Sequence, residues 1–119
     1  FSCAFASSGQ VCMAIKRLYA PAARVPELVA ALLARGAREL VGDPLADGVT
    51  MGPVHTARGC DFVEGLLADA MHAGAKVHRT GALREADRGA GGYFVLPAVV
   101  EAPPPDARIV REEQFAPAL

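Results

Sequence analysis

Between positions 25 and 40 the apolar residues Val25, Leu28, Val29, Leu32 and Leu33 recur at intervals of three and four, and Leu40 extends the stripe past Gly36. That is the period of one helix face. Pro26 sits where the first helical turn needs no N–H, so the spacing predicts a helix over 26–40. A second stripe, Phe62, Val63, Leu66, Leu67, Ala70 and Met71, follows Thr56 and precedes Gly74. Thr56 is suited to cap free amides, and Gly74 to end the helix in a left-handed turn. Elsewhere the period drops to two. Residues 13–19 set Ile15, Arg17 and Tyr19 against Lys16 and Leu18, with Pro21 closing the run, which predicts a short strand. Residues 75–80 alternate as well, and 93–100 are aromatic and β-branched, with Pro97 marking an edge or bulge. Residues 1–7 are small and apolar, compatible with a helix end that Ser8-Gly9 would stop. The Gly-, Pro- and Asp-rich stretches 41–53 and 81–92 read as loops, with Asp43 and Asp47 as turn-capping carboxylates, and 101–106 as a proline-rich turn. Helices alternating with strands predict an α/β fold, its helices packed on a mostly parallel sheet.

Composition narrows the function. A chain of 119 residues fits one domain, able to bury roughly two thirds of its unfolded surface. Twelve Lys plus Arg stand against thirteen Asp plus Glu without blocks of either sign, so no surface for nucleic acid or anionic lipid is implied. No apolar run approaches the ~20 residues of a membrane span, and no signal-like leader is visible. Three widely spaced cysteines do not form a disulfide framework, which points to a reducing cytoplasm. Cys3, Cys12, Cys60, His55, His72 and His78 contain no metal-ligand spacing, so no metal site is expected. His55 and His72 read as surface histidines, and Cys3 and Cys60 as packing residues. The chain begins at Phe1 without a methionine and stops inside the apolar run 115–119; we read it as a fragment of a longer protein.

Cys12 is the residue with chemistry to offer. A free thiol ionises near pH ~8.5, so a nucleophilic role needs amides, a cation or a base beside it. The Ser7-Ser8-Gly9 turn can supply amides for a thiolate and for the oxyanion formed on carbonyl attack, and Lys16 and Arg17 follow closely. On residue type alone, the ordinary role of a free cysteine as a small buried hydrophobe stays open beside this one.

The segment Phe5-Ala6-Ser7-Ser8-Gly9-Gln10-Val11-Cys12 resembles the active-site signature of the aldehyde dehydrogenase superfamily. The likeness runs collinearly through almost the whole chain. Residues 15–19 look like the strand after the family cysteine, and Val41-Gly42-Asp43-Pro44 and Met51-Gly52-Pro53 look like its connector. Gly92-Tyr93-Phe94-Val95-Leu96-Pro97 resembles a later strand, and Glu112-Glu113-Gln114-Phe115-Ala116-Pro117 is similar to the family's E-E-x-F-G-P element. The resemblance implies that residues 1–119 are a partial catalytic domain of an enzyme oxidising an aldehyde to a carboxylic acid with NAD or NADP. Cys12 would be the nucleophile, passing through a thiohemiacetal and a thioester, Glu113 would hydrogen-bond the ribose beside the nicotinamide, and Phe115 would pack on that end of the cofactor. A small-molecule aldehyde is the implied partner, and the longer parent would be a homo-oligomer assembled through a later strand.

Three positions depart from the family pattern. Ser7 replaces an Asn. Ala116 replaces a Gly, which would add strain if that backbone needs a positive φ. Gly59 stands where some relatives place a cofactor-contacting Gln. The dinucleotide-binding domain, the oxyanion-hole Asn and the general-base Glu lie upstream in the family, and the chain contains no asparagine and no G-x-G-x-x-G. The isolated chain is therefore expected to be inactive. The alternative is a catalytically silent structural or interaction fragment of the same fold.

Overall fold

A computed structural model describes all 119 residues. Helix α1 (Ser2–Phe5) runs into a 3-10 turn at Ala6–Gly9, and a second 3-10 turn at Ala22–Arg24 leads into α2 (Val25–Gly36). Strand β1 (Leu40–Val41), helix α3 (Ala57–His72), strands β2 (Lys76–Arg79) and β3 (Ala82–Leu83), strand β4 (Ala98–Glu101) and helix α4 (Arg108–Arg111) follow.

Helix α3 forms where its spacing predicted it. The Thr56 hydroxyl accepts from the Gly59 amide at 3.0 Å, satisfying a donor that the first turn leaves free. At the other end Gly74 takes φ +94° and the Ala75 amide reaches back to the Ala70 carbonyl at 2.9 Å, closing the helix with a left-handed turn. Val63, Leu66, Leu67 and Ala70 are buried on one face, against Val54, Val95, Ala98, Ile109, Ala116 and Ala118.

Helix α2 stops at Gly36, four residues before the predicted end. Gly36 lies against Thr80 and Phe1, where an added Cβ would come within 2.3 Å of the threonine methyl. The Thr80 hydroxyl donates to the Leu33 carbonyl at 3.0 Å, and the chain turns into β1. Leu40 keeps the apolar phase of the helix but spends it in a strand, a distinction periodicity does not draw.

Strand pairing is mixed. β1 runs parallel to β3, and single parallel bridges join Val41 to Met51 and Ala98 to Ala118. β2 and β4 are antiparallel, from Lys76 opposite Glu101 to Arg79 opposite Ala98.

Two expected strands differ from what forms. Residues 13–19 join no ladder; the Ile15 amide donates to the Cys3 carbonyl, and no strand lies alongside. Alternation there leaves Met13, Ile15, Leu18 and Tyr19 exposed. The strand expected over 93–100 begins only at Ala98. Pro97 has no N–H to give a ladder, although Val95 and Pro97 are fully buried.

A second, smaller core of Ala4, Phe5, Val41 and Met51 carries Phe1 and Phe94 at its margin, with the rings of Phe1 and Phe5 stacked at 4.3 Å. This core underlies the turn that leads to Cys12.

Candidate active site

Ser7, Ser8 and Gly9 adopt φ of 51°, 57° and 73° in succession. Left-handed backbone is cheap for glycine and costs an L-residue about 1 kcal/mol or more, so the two serines must be held by their surroundings. Phe5, just before them, is buried. The Ser8 hydroxyl is buried and donates to the Gly52 carbonyl at 2.8 Å. Gly9 lies so close to the chain at Ala116 that an added Cβ would stand 2.2 Å from that carbonyl oxygen. Gln10 completes the anchorage: its side-chain oxygen accepts from the His55 amide at 2.8 Å, and its side-chain nitrogen donates to the Ser7 carbonyl at 3.2 Å.

Cys12 follows this turn and is exposed, which removes the buried-hydrophobe reading. The amides of Val11, Cys12 and Met13 have no hydrogen-bond partner within the chain, so three unpaired donors lie at and next to Cys12 in the sequence. Cys60 contrasts with it, half-buried against the large core. Its thiol is pushed up by burial and by Glu64 and Asp61, so it is the poorer nucleophile. Cys3 is exposed, not the packing residue expected from its sequence context.

Lys16 was a candidate cation for the thiolate. Its ammonium instead donates to the Gly9 carbonyl at 2.9 Å and to the Ala116 carbonyl at 2.7 Å. Burial pulls its pKa down, and nearby Glu113 partly opposes that shift. Beside it Arg17 donates to the Val110 carbonyl.

Glu113 and Phe115 lie at the far end of the chain and line one cleft with Gln10, His55, Thr56 and Gly59, an open space of about 550 Å³. The two glutamates differ. Glu112 is held by Arg108 at 2.6 Å, which keeps its carboxyl below the usual range, whereas Glu113 has no hydrogen-bond or ion-pair partner and is exposed. Phe115 takes φ 38° and leaves its ring partly open to the cleft. Ala116 does not share that backbone: it is buried and lies outside the left-handed region, so the strain expected from a methyl there does not arise. Gly59, in the first turn of α3, leaves the cleft without a side chain at that point.

The expected residues thus fall on two neighbouring segments, Cys12 on one and Glu113 with Phe115 on the other. The sequence does not mark Gln10 and His55 as site residues, and it offers Lys16 as a cation for the thiolate where the structure gives it two carbonyls. Gln10 has a local signal, its place within the cysteine signature; the partner of His55 and the second partner of Lys16, the Ala116 carbonyl, lie tens of residues away. Chemically, the cleft offers a free carboxylate that can accept from hydroxyl donors and a half-open aromatic ring with a flat apolar face.

Residues 1–119 match the aldehyde dehydrogenase family model. A Pseudomonas protein named as a probable aldehyde dehydrogenase is 34% identical over all 119 residues, which correspond to 24% of its own length. Aldehyde dehydrogenase family 7 member A1 of Pisum sativum is 31% identical over the same residues, 22% of its length. The chain therefore spans about a quarter of these relatives. Among solved structures, an aldehyde dehydrogenase C mutant from Pseudomonas syringae, in complex with NAD+ and octanal, superposes with a TM-score of 0.87 at 26% identity, covering 99% of this chain and 24% of that one. An NADP-dependent enzyme from E. coli gives 0.85 at 30% identity, covering 98% and 24%. The mixed helices and strands are those of an aldehyde dehydrogenase fold, and the chain belongs to the aldehyde dehydrogenase family.

Proposed function

We propose that this chain is the part of an NAD(P)-dependent aldehyde dehydrogenase that carries the nucleophile, and that Cys12 is that nucleophile. The observation that carries the reading is an exposed thiol in a stretch with three unpaired amides, just past a turn that the Lys16 ammonium ties to the segment holding Glu113 and Phe115, whose cleft Gln10 also lines. The Cys12 thiolate attacks the aldehyde carbon, and the carbon–oxygen π pair moves to oxygen, giving a thiohemiacetal. The free amides of residues 11–13 are suited to hold that negative oxygen. Loss of hydride from the same carbon restores the carbonyl as a thioester on Cys12, and water releases the acid and returns the thiol. A bound nicotinamide dinucleotide supplies the hydride acceptor. Glu113 is suited to accept from its ribose hydroxyls, and Phe115 to flank that end. In the Pseudomonas syringae octanal complex a cysteine is the substituted residue, and in a betaine aldehyde dehydrogenase of Staphylococcus aureus a cysteine carries the modification.

The test is NADH or NADPH formation by the full-length protein with a panel of aldehydes, together with peptide-mapped alkylation by iodoacetamide. Wild type is expected to turn over at least one aldehyde, and Cys12→Ser to lose ~10³-fold or more, as removal of a covalent nucleophile does. Cys12 is expected to alkylate faster than Cys3 and much faster than Cys60. A Cys12→Ser protein as fast as wild type overturns the assignment. The 119 residues alone are expected to turn over no aldehyde and to bind NAD weakly by calorimetry.

A further inference from the structure

We propose that Lys16 is a positioning residue: by holding the Gly9 and Ala116 carbonyls together, its ammonium sets the distance between the turn that presents Cys12 and the segment that presents Glu113 and Phe115. The two carbonyls are separated by more than a hundred residues of chain, and no strand pairing joins their segments. Between residues 1–20 and 108–119 the only hydrogen bonds come from Lys16 and its neighbour Arg17. The gap they span leaves no slack, since the Gly9 backbone already rests on the Ala116 carbonyl.

The choice of partners supports a geometric role. Every other Lys or Arg that hydrogen-bonds in this chain does so to a carboxylate, as Arg35 does to Glu39, Arg79 to Glu64 and Arg108 to Asp69. Lys16 and Arg17 take main-chain carbonyls alone. A half-buried ammonium without a paired carboxylate is an unfavourable way to gain stability. It is an effective way to draw two loops to a fixed spacing, because the three N–H groups of an ammonium can serve two acceptors at once. Spacing matters to the reaction: displacing reacting groups by about 1 Å can lower a rate on the order of 100-fold.

The catalytic part of this inference rests on the dehydrogenase reading, whereas the clasp itself does not, and two measurements on the full-length protein separate them. The first is hydrogen exchange in wild type, Lys16→Met and Lys16→Arg. Lys16→Met keeps length and apolar volume but has no donor, so the hydrogen-bonded amides of Gln10, Ala14 and Ile15 in one segment and of Ala118 and Leu119 in the other are expected to exchange faster together, while those of α3 are unchanged. Lys16→Arg, which keeps paired donors, is expected to restore both segments. The second is steady-state kinetics, in which Lys16→Met is expected to lower kcat by about tenfold or more with KM for the aldehyde within about threefold, and Lys16→Arg to recover most of the loss. Loosening of both segments in a protein whose wild type oxidises no aldehyde supports the clasp and removes the dehydrogenase reading. An active wild type whose Met variant keeps its kcat, or whose two segments do not loosen together, overturns the proposal, as does an Arg variant that behaves like Met.

Discussion

At the scale of single residues the site is a run of backbone conformations that side chains make affordable. Gly9 is the position where no other residue fits: its φ is +73°, and a Cβ would stand 2.2 Å from the Ala116 oxygen and 2.9 Å from the Lys16 ammonium nitrogen. The nearest atoms are those of the Ala116 backbone carbonyl, which cannot yield without moving residues 113–117. Gly9→Ala is therefore expected to destabilise the chain by ~2 kcal/mol or more, the sum of left-handed strain and overpacking. Ser7 gives the opposite sign. It has φ 51° and an exposed side chain that makes no hydrogen bond, and asparagine tolerates this region better than serine. Ser7→Asn, which restores the family residue, is expected to raise stability by about 0.5 kcal/mol. Urea midpoints of the two variants check both signs, and a Gly9→Ala protein as stable as wild type would mean that the turn and the 113–117 segment are not in contact.

At the scale of elements, the antiparallel pair β2–β4 carries a pH dependence that can be worked out from its end. Glu101 receives a hydrogen bond from Lys76 at 3.0 Å and lies 2.9 Å from the His78 ring nitrogen. His78 first, and Lys76 second, hold its carboxyl below the ordinary 4.5. A carboxyl with a depressed native pKa binds its proton more readily in the unfolded chain, so its contribution is complete above about pH 4.5 and is lost as the pH falls through the native value. Glu101→Gln removes that contribution. The difference in urea midpoint between wild type and Glu101→Gln is expected to shrink as the pH falls below 4.5; a difference independent of pH from 5 down to 3 rules the mechanism out. Elements such as α3 could be read from the sequence because their determinants are local: Thr56, the apolar stripe and Gly74 lie on one stretch of chain. The run 13–19 was misread because alternation reports which faces a strand would have and says nothing of whether a neighbour lies beside it. The candidate site was legible only in halves. Cys12 stands in a recognisable signature and Glu113 and Phe115 in another, whereas the Lys16 bonds that bring the two signatures together have no local mark.

At the scale of the whole molecule, the chain exposes more surface than its mass requires. Its accessible area is 6998 Å², against about 6100 Å² for a self-contained globular protein of this mass. The surplus is apolar where it can be traced. Met13 and Tyr19 are 86% and 89% exposed, and beside Tyr19 an open groove of about 390 Å³ runs between residues 16–20, α2 and β4, lined by Leu28, Val29, Val99, Val110 and Leu119. Residues 13–19 also carry main-chain groups without a ladder, so apolar side chains and unpaired backbone coincide on one face, the combination that drives edge-to-edge association. The isolated 119-residue chain is therefore expected to self-associate at micromolar concentration, with a sedimentation coefficient that rises with concentration. Met13→Lys combined with Tyr19→Lys is expected to shift the population towards monomer without changing the far-ultraviolet circular dichroism, because neither side chain contributes to a core and a charge on an open edge opposes stacking. A wild-type chain that stays monomeric to 100-fold higher concentration would show that the bared face is compatible with water, and that α3 and its core suffice to keep this part of the fold in solution.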